Sequence, residues 1–120
     1  METKSLSEST ICCFGDSTTW GDNGCGGGGN DISWTSHLGA LLGGAVIENL
    51  GIKGSRIAVK ADRGDSFVER LDGIDDAADI YIVFGGVNDF SRNVPLGELG
   101  STDVHEFYGA LDYLIRTITA

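Results

Sequence analysis

The stretch Thr10-Ile11-Cys12-Cys13-Phe14-Gly15-Asp16-Ser17-Thr18-Thr19-Trp20-Gly21 constrains the fold more than any other. Ile11 to Phe14 is a short apolar run stopped by Gly15, the pattern of a strand buried on both faces and ending in a tight turn. A serine on such a turn, here Ser17, is exposed and rigidly held, as a nucleophile must be. Gly-Asp-Ser is also ordinary turn chemistry, so the tripeptide alone leaves both readings open.

Two further runs repeat the strand-then-glycine pattern. Ala45 to Leu50 leads into Gly51-Ile52-Lys53-Gly54-Ser55, and Ile80-Tyr81-Ile82-Val83-Phe84 leads into Gly85-Gly86-Val87-Asn88-Asp89. The continuous apolar run at 80–84 belongs in a parallel sheet. Helices are expected between and after these strands. Asp31 or Ser33 caps one that carries Trp34, Leu38, Leu41 and Leu42 on a stripe, with His37 on its flank as a surface residue and Gly43-Gly44 at its end. Ser66 and Glu69 have capping-box spacing before Phe67, Leu71 and Ile74. Asp103 and Glu106 are expected to cap a last helix with Val104, Phe107, Tyr108, Leu111, Leu114, Ile115 and Ile118 on its apolar face. The acidic stretch Asp75 to Asp79 leads into the third strand, and Arg56 to Arg63 is read as a solvated connection. Gly26 to Gly29 is read as slack beside the serine turn. Alternating strands and helices predict a three-layer α/β/α doubly wound parallel sheet, incomplete with about three strands present, in one domain spanning residues 1–120.

Composition narrows the function classes. A net charge of −10 disfavours nucleic acid and anionic membrane surfaces as partners. The three cysteines have no metal-ligand spacing to one another or to either histidine, and neighbours such as Cys12 and Cys13 point to opposite faces of a strand. No cofactor or metal is expected. Met1 to Glu8 has no apolar core, so no signal peptide is visible, and no stretch has the length of a membrane span. A cytoplasmic location is the expectation.

In doubly wound sheets ligands bind at the carboxyl ends of the strands. Three features fall there, one per strand: Gly15-Asp16-Ser17, Asn49-Leu50-Gly51-Ile52-Lys53-Gly54 and Gly86-Val87-Asn88-Asp89. Ester hydrolysis needs a nucleophile and donors for the tetrahedral oxyanion, and a serine, a backbone N–H at glycine and an asparagine amide suit that task. Together the three blocks resemble the SGNH, or GDSL-type, hydrolase family from about Ile11 to the end of the chain. The resemblance implies that Ser17 is the nucleophile and that its own N–H, the Gly54 N–H and the Asn88 side chain form the oxyanion hole. It implies a serine esterase or lipase acting through an acyl-enzyme on a small-molecule, carbohydrate or lipid ester. A non-catalytic domain of the same fold, binding a carbohydrate or a protein partner, is the alternative.

The sequence also departs from the family. Its last block, Asp-x-x-His, supplies the general base, and here Trp34 stands three residues before His37 and Thr102 three before His105. Asp103-Val104-His105 has the wrong spacing, and His105 is read on the polar face of the last helix with Asp112 and Arg116. The family sheet has five strands in the order 2-1-3-4-5. Two strands with their helices, on the order of 60 residues, are therefore expected to be missing. The third strand would be left as a sheet edge, prone to self-association.

Overall fold

The structure, a computed structural model, describes residues 4–74 and 77–120. Met1 to Thr3 of the N-terminal segment read for a signal peptide and Asp75-Asp76 of the acidic stretch lie outside the described residues. The chain divides into two compact units, residues 1–53 with 75–84 and residues 54–74 with 85–120.

The first unit holds the sheet. Strands β1 (Thr10–Gly15), β2 (Val46–Gly51) and β3 (Ile80–Phe84) pair in parallel in the order β2-β1-β3. This is the expected incomplete α/β sheet, with its first strand in the centre. Ile11 stands opposite Ile47 and Ile80, and Cys13 opposite Asn49 and Ile82. Ile11, Cys13 and Ala45 form a core against which Trp34, Leu38, Leu42, Ile47, Ile80 and Ile82 pack. Full burial of one such aliphatic side chain stabilises by about 1.5–3 kcal/mol, so this face alone fixes the register. Burial also pushes the Cys13 thiol up to about 11, which leaves it inert at neutral pH.

Helix α1 (Ser17–Trp20) follows β1 directly, and α2 (Trp34–Leu41) precedes β2. Ser33 caps α2 by accepting a hydrogen bond from the Thr35 N–H at 3.1 Å, while Asp31 lies in a 3-10 turn over Asn30–Ile32. Leu41 was expected on the buried stripe and is 80% exposed. It is the last residue of α2 and lies at the margin of the stripe, about 60° from Leu38 and about 100° from Leu42, two turns beyond Trp34. Gly43 and Gly44 close the helix with bonds from their N–H groups to Ala40 and Gly39, and their φ values of 79° and 109° need glycine.

The glycine run is not slack. Asn23 N–H donates to the Gly27 carbonyl and Gly29 N–H to the Gly21 carbonyl, at 3.0 and 2.9 Å. The Asn23 side-chain oxygen accepts from the Cys25 and Gly27 N–H groups. Backbone and side-chain amide bonds thus replace the side-chain packing that glycines lack.

Among the described residues β3 pairs with β1 alone, and Val83 and Phe84 are 37% and 46% exposed. An apolar edge of this kind templates further strand pairing. The 120-residue chain is therefore expected to self-associate in sedimentation velocity at micromolar concentration. A single monomeric boundary across that range would contradict this.

The second unit holds α3 (Phe67–Arg70), α4 (Val87–Ser91) and α5 (Phe107–Thr119). The Ser66–Glu69 capping box is formed in both directions, and Phe67 behind it is fully buried. The helix lasts one turn before a 3-10 segment at Leu71–Gly73. Arg56 to Arg63 is a solvated connection only in its second half, where Ala61 and Asp62 are exposed. Arg56, Ile57 and Ala58 are buried, with Arg56 paired to Asp62. The last helix starts later than its apolar pattern suggests. Val104 accepts a hydrogen bond from the Val59 N–H and stays outside the helix. The first-turn donors of Phe107 and Tyr108 are taken by the Pro95 and Leu96 carbonyls, which leaves no need for a side-chain cap. Ala110 and Leu114 form its buried stripe, and Ile115 is exposed.

Candidate active site

Ser17 lies in the first unit as the opening residue of α1. Asp16, 2% exposed, caps this turn by accepting the Thr18 N–H at 3.0 Å. The Ser17 carbonyl accepts from Gly21 and Asp22, each at 3.0 Å, which fixes the serine backbone from both sides. The Ser17 N–H is in the first helical turn, where no carbonyl four residues back is available to it. The chain can turn this sharply because Gly15 has no Cβ. One would collide with Thr19 and come within 2.9 Å of the Phe84 carbonyl. Asn49 ties the turn to β2: its amide nitrogen donates to the Thr19 carbonyl at 2.7 Å and its oxygen accepts from Gly51 at 2.9 Å. Ser17 itself is half-buried.

Gly54 and Asn88 both lie in the second unit, and the structure brings them together through Ser55. The Asn88 amide nitrogen donates to the Ser55 carbonyl at 2.9 Å. One of its two N–H bonds is thereby used as an anchor, and the amide plane is fixed. Gly54 has φ +79°, a left-handed position, and a Cβ there would overlap the Arg63 guanidinium. Arg63 is held in turn by Asp65, through Nε at 3.0 Å and through Nη2. The Arg63 hydrogen bonds keep the Asp65 carboxyl below the usual carboxylate range. Its folded value being the lower one, this pair contributes stability above the unfolded pKa of Asp65 and loses it as pH falls through the folded pKa.

Sequence reasoning left Asp89 without a role. It is 2% exposed, and its two carboxylate oxygens accept the Ile57 and Ala58 N–H groups at 2.8 and 3.0 Å. It therefore fastens the segment after Gly54 to the helix that carries Asn88. The detectable signal was an acid beside Asn88 at the start of a one-turn helix; its partners, about thirty residues away, were not visible. Asp89→Asn keeps one acceptor oxygen and turns an amide N–H₂ toward a buried donor. It is expected to destabilise the protein by about 1.5–3 kcal/mol in urea unfolding. An unchanged midpoint would remove Asp89 from this account.

The two histidines lie one in each unit. His37 is exposed on α2, as expected. His105 precedes α5 rather than sitting on its polar face, because the helix begins only at Phe107. Its Nδ1 meets Asp103 Oδ1 at 2.9 Å, and both side chains are more than half exposed. The pairing with the backbone N–H and ring of His105 lowers the Asp103 pKa. Among the described residues no group of three or more His, Cys, Asp and Glu could hold a metal, and no helix is long and apolar enough to cross a membrane.

The sequence matches the GDSL-like Lipase/Acylhydrolase family over residues 13–120. No curated protein matches it. Among solved structures, one chain is 93% identical, with a TM-score of 0.94, over 97% of this chain and 53% of its own length. A Lactobacillus plantarum protein is 34% identical with a TM-score of 0.75, over 95% of this chain and 51% of its own. A possible lipase from Chitinophaga pinensis shares the fold at 23% identity and a TM-score of 0.64, over 92% of this chain and 43% of its own. The chain thus spans about half the length of the solved chains it matches. With the family pattern running from the first strand through the last helix, this chain belongs to the GDSL-like lipase/acylhydrolase family.

Proposed function

We propose that the protein is a serine hydrolase of esters, with Ser17 as nucleophile and an oxyanion hole made by the Ser17 N–H, the Gly54 N–H and the Asn88 amide. Ser17 Oγ adds to the ester carbonyl, and its proton passes to a base. The tetrahedral oxyanion forms against the three donors, and collapse expels the alcohol and leaves an acyl-serine. Water, activated by the same base, then releases the acid. The observation that carries this reading is the Asn88 amide, anchored by one N–H to the Ser55 carbonyl. An amide held by one N–H keeps the other for an oxyanion, and such a donor is fixed before charge develops.

The base is assigned to the part of the protein outside these 120 residues, as the Asp-x-x-His block of the family implies. His105 is engaged by Asp103 on an exposed turn and is not given that role. A fluorophosphonate probe tests the assignment, since it labels only an activated serine. Rapid labelling of Ser17 is expected in the full-length protein and in its His105→Ala variant, with slow labelling in the 120-residue chain. Full-length protein that resists the probe at Ser17 would favour a non-catalytic domain binding a carbohydrate or protein partner. Loss of labelling in His105→Ala would make His105 the base.

A further inference from the structure

Two of the three assigned oxyanion donors, Gly54 and Asn88, are linked by one polar network. Ser55 is fully buried, and its carbonyl holds the Asn88 amide at 2.9 Å. Its hydroxyl donates to the Asp65 carbonyl at 2.7 Å and accepts from Arg70 Nη2 at 2.9 Å. Arg70 Nε reaches the same Asp65 carbonyl at 3.0 Å, and Arg70 lies over the Phe67 ring at 5.1 Å from its centroid. The Asp65 carboxylate holds Arg63 by two adjacent nitrogens, and the Arg63 guanidinium covers the Cα of Gly54, with Cζ 3.1 Å from where a Cβ would stand. The path thus runs from the Asn88 amide through Ser55 and Asp65 to Arg63 and back onto the Gly54 turn.

We infer that Ser55, Asp65 and Arg63 are positioning residues for ester hydrolysis, holding the Gly54 N–H and the Asn88 amide in one fixed arrangement; this rests on the oxyanion-hole reading above. None of the three touches the reacting atoms in this account. Each acts through a donor whose placement must be accurate, because a misplacement of about 1 Å costs on the order of a hundredfold in rate. Arginine suits the outer position. Its planar fork takes Asp65 by two nitrogens while its remaining terminal nitrogen, Nη1, occupies the space a Gly54 Cβ would need.

The test uses the full-length protein with Arg63→Gln and, should that variant fail to fold, Asp65→Asn. Three quantities are compared with wild type: kcat and KM on p-nitrophenyl acetate, and the solvent exchange of the Asn88 side-chain amide protons by NMR. The expected result is a kcat lower by about 10–100-fold with KM within about twofold, and Asn88 amide exchange faster by about tenfold or more. A kcat within twofold of wild type overturns the inference, whatever the exchange does. So does a loss carried by KM alone, or a slow Asn88 amide that stays slow. Failure of the hydrolase reading looks different. Ser17→Ala would then turn over like wild type, while the exchange of Asn88 still reports whether the network holds it.

Discussion

In the full-length protein, Ser17→Ala is expected to lower kcat for an activated aryl ester by about 10⁶-fold, with the folded structure intact. Removing the nucleophile of a serine hydrolase has a cost of that order, and the remaining rate comes from the oxyanion donors and substrate binding alone. The substitution should be structurally mild. Ser17 is tied into its turn through its carbonyl, which accepts from Gly21 and Asp22, and an alanine keeps that carbonyl. Alanine is also a better helix former than serine. Steady-state kinetics with purified variant, checked against thermal unfolding, read the result. Turnover within tenfold of wild type would move the nucleophile to another residue.

The second large effect is expected at Asn88. Asn88→Ala removes one of the proposed oxyanion donors and should lower kcat by about 10²–10³-fold, equivalent to about 2.7–4 kcal/mol of transition-state stabilisation, with KM little changed. The fall should be smaller than for Ser17, because two backbone donors remain. Stability should fall by about 1–3 kcal/mol, since the buried Ser55 carbonyl loses a partner. A near-normal kcat would remove Asn88 from the site. An equal fall in kcat and in unfolding free energy would make it a structural residue.

Much of this was legible in the chain because it depends on local pattern. Short runs closed by glycine marked all three strands and the helices between them implied parallel pairing, while the order with β1 in the centre came from the family resemblance. The Ser66–Glu69 capping box formed as its spacing dictates. What was not legible depends on partners distant in sequence. Arg56 to Arg63 looks polar enough to be solvated, yet Asp89 pulls Ile57 and Ala58 inward by their N–H groups. The apolar pattern near Val104 continues into α5, but the Pro95 and Leu96 carbonyls set where that helix can start. Glycines 26–29 carry no side-chain signal at all, and their order comes from Asn23 and backbone bonds. The same limit held at the site. Ser17, Gly54 and Asn88 were nameable from three short blocks, whereas Ser55, Asp65 and Arg63 acquire meaning only from the contacts between them.

The central claim is that an ester's acyl group is transferred to Ser17. The most direct measurement is the mass of the full-length protein acid-quenched during turnover of p-nitrophenyl butyrate, followed by peptide mapping. The account predicts a butyryl increment on the peptide containing Ser17, absent from Ser17→Ala. Hydrolysis proceeding with the increment on another residue, or with full turnover by Ser17→Ala, would contradict it.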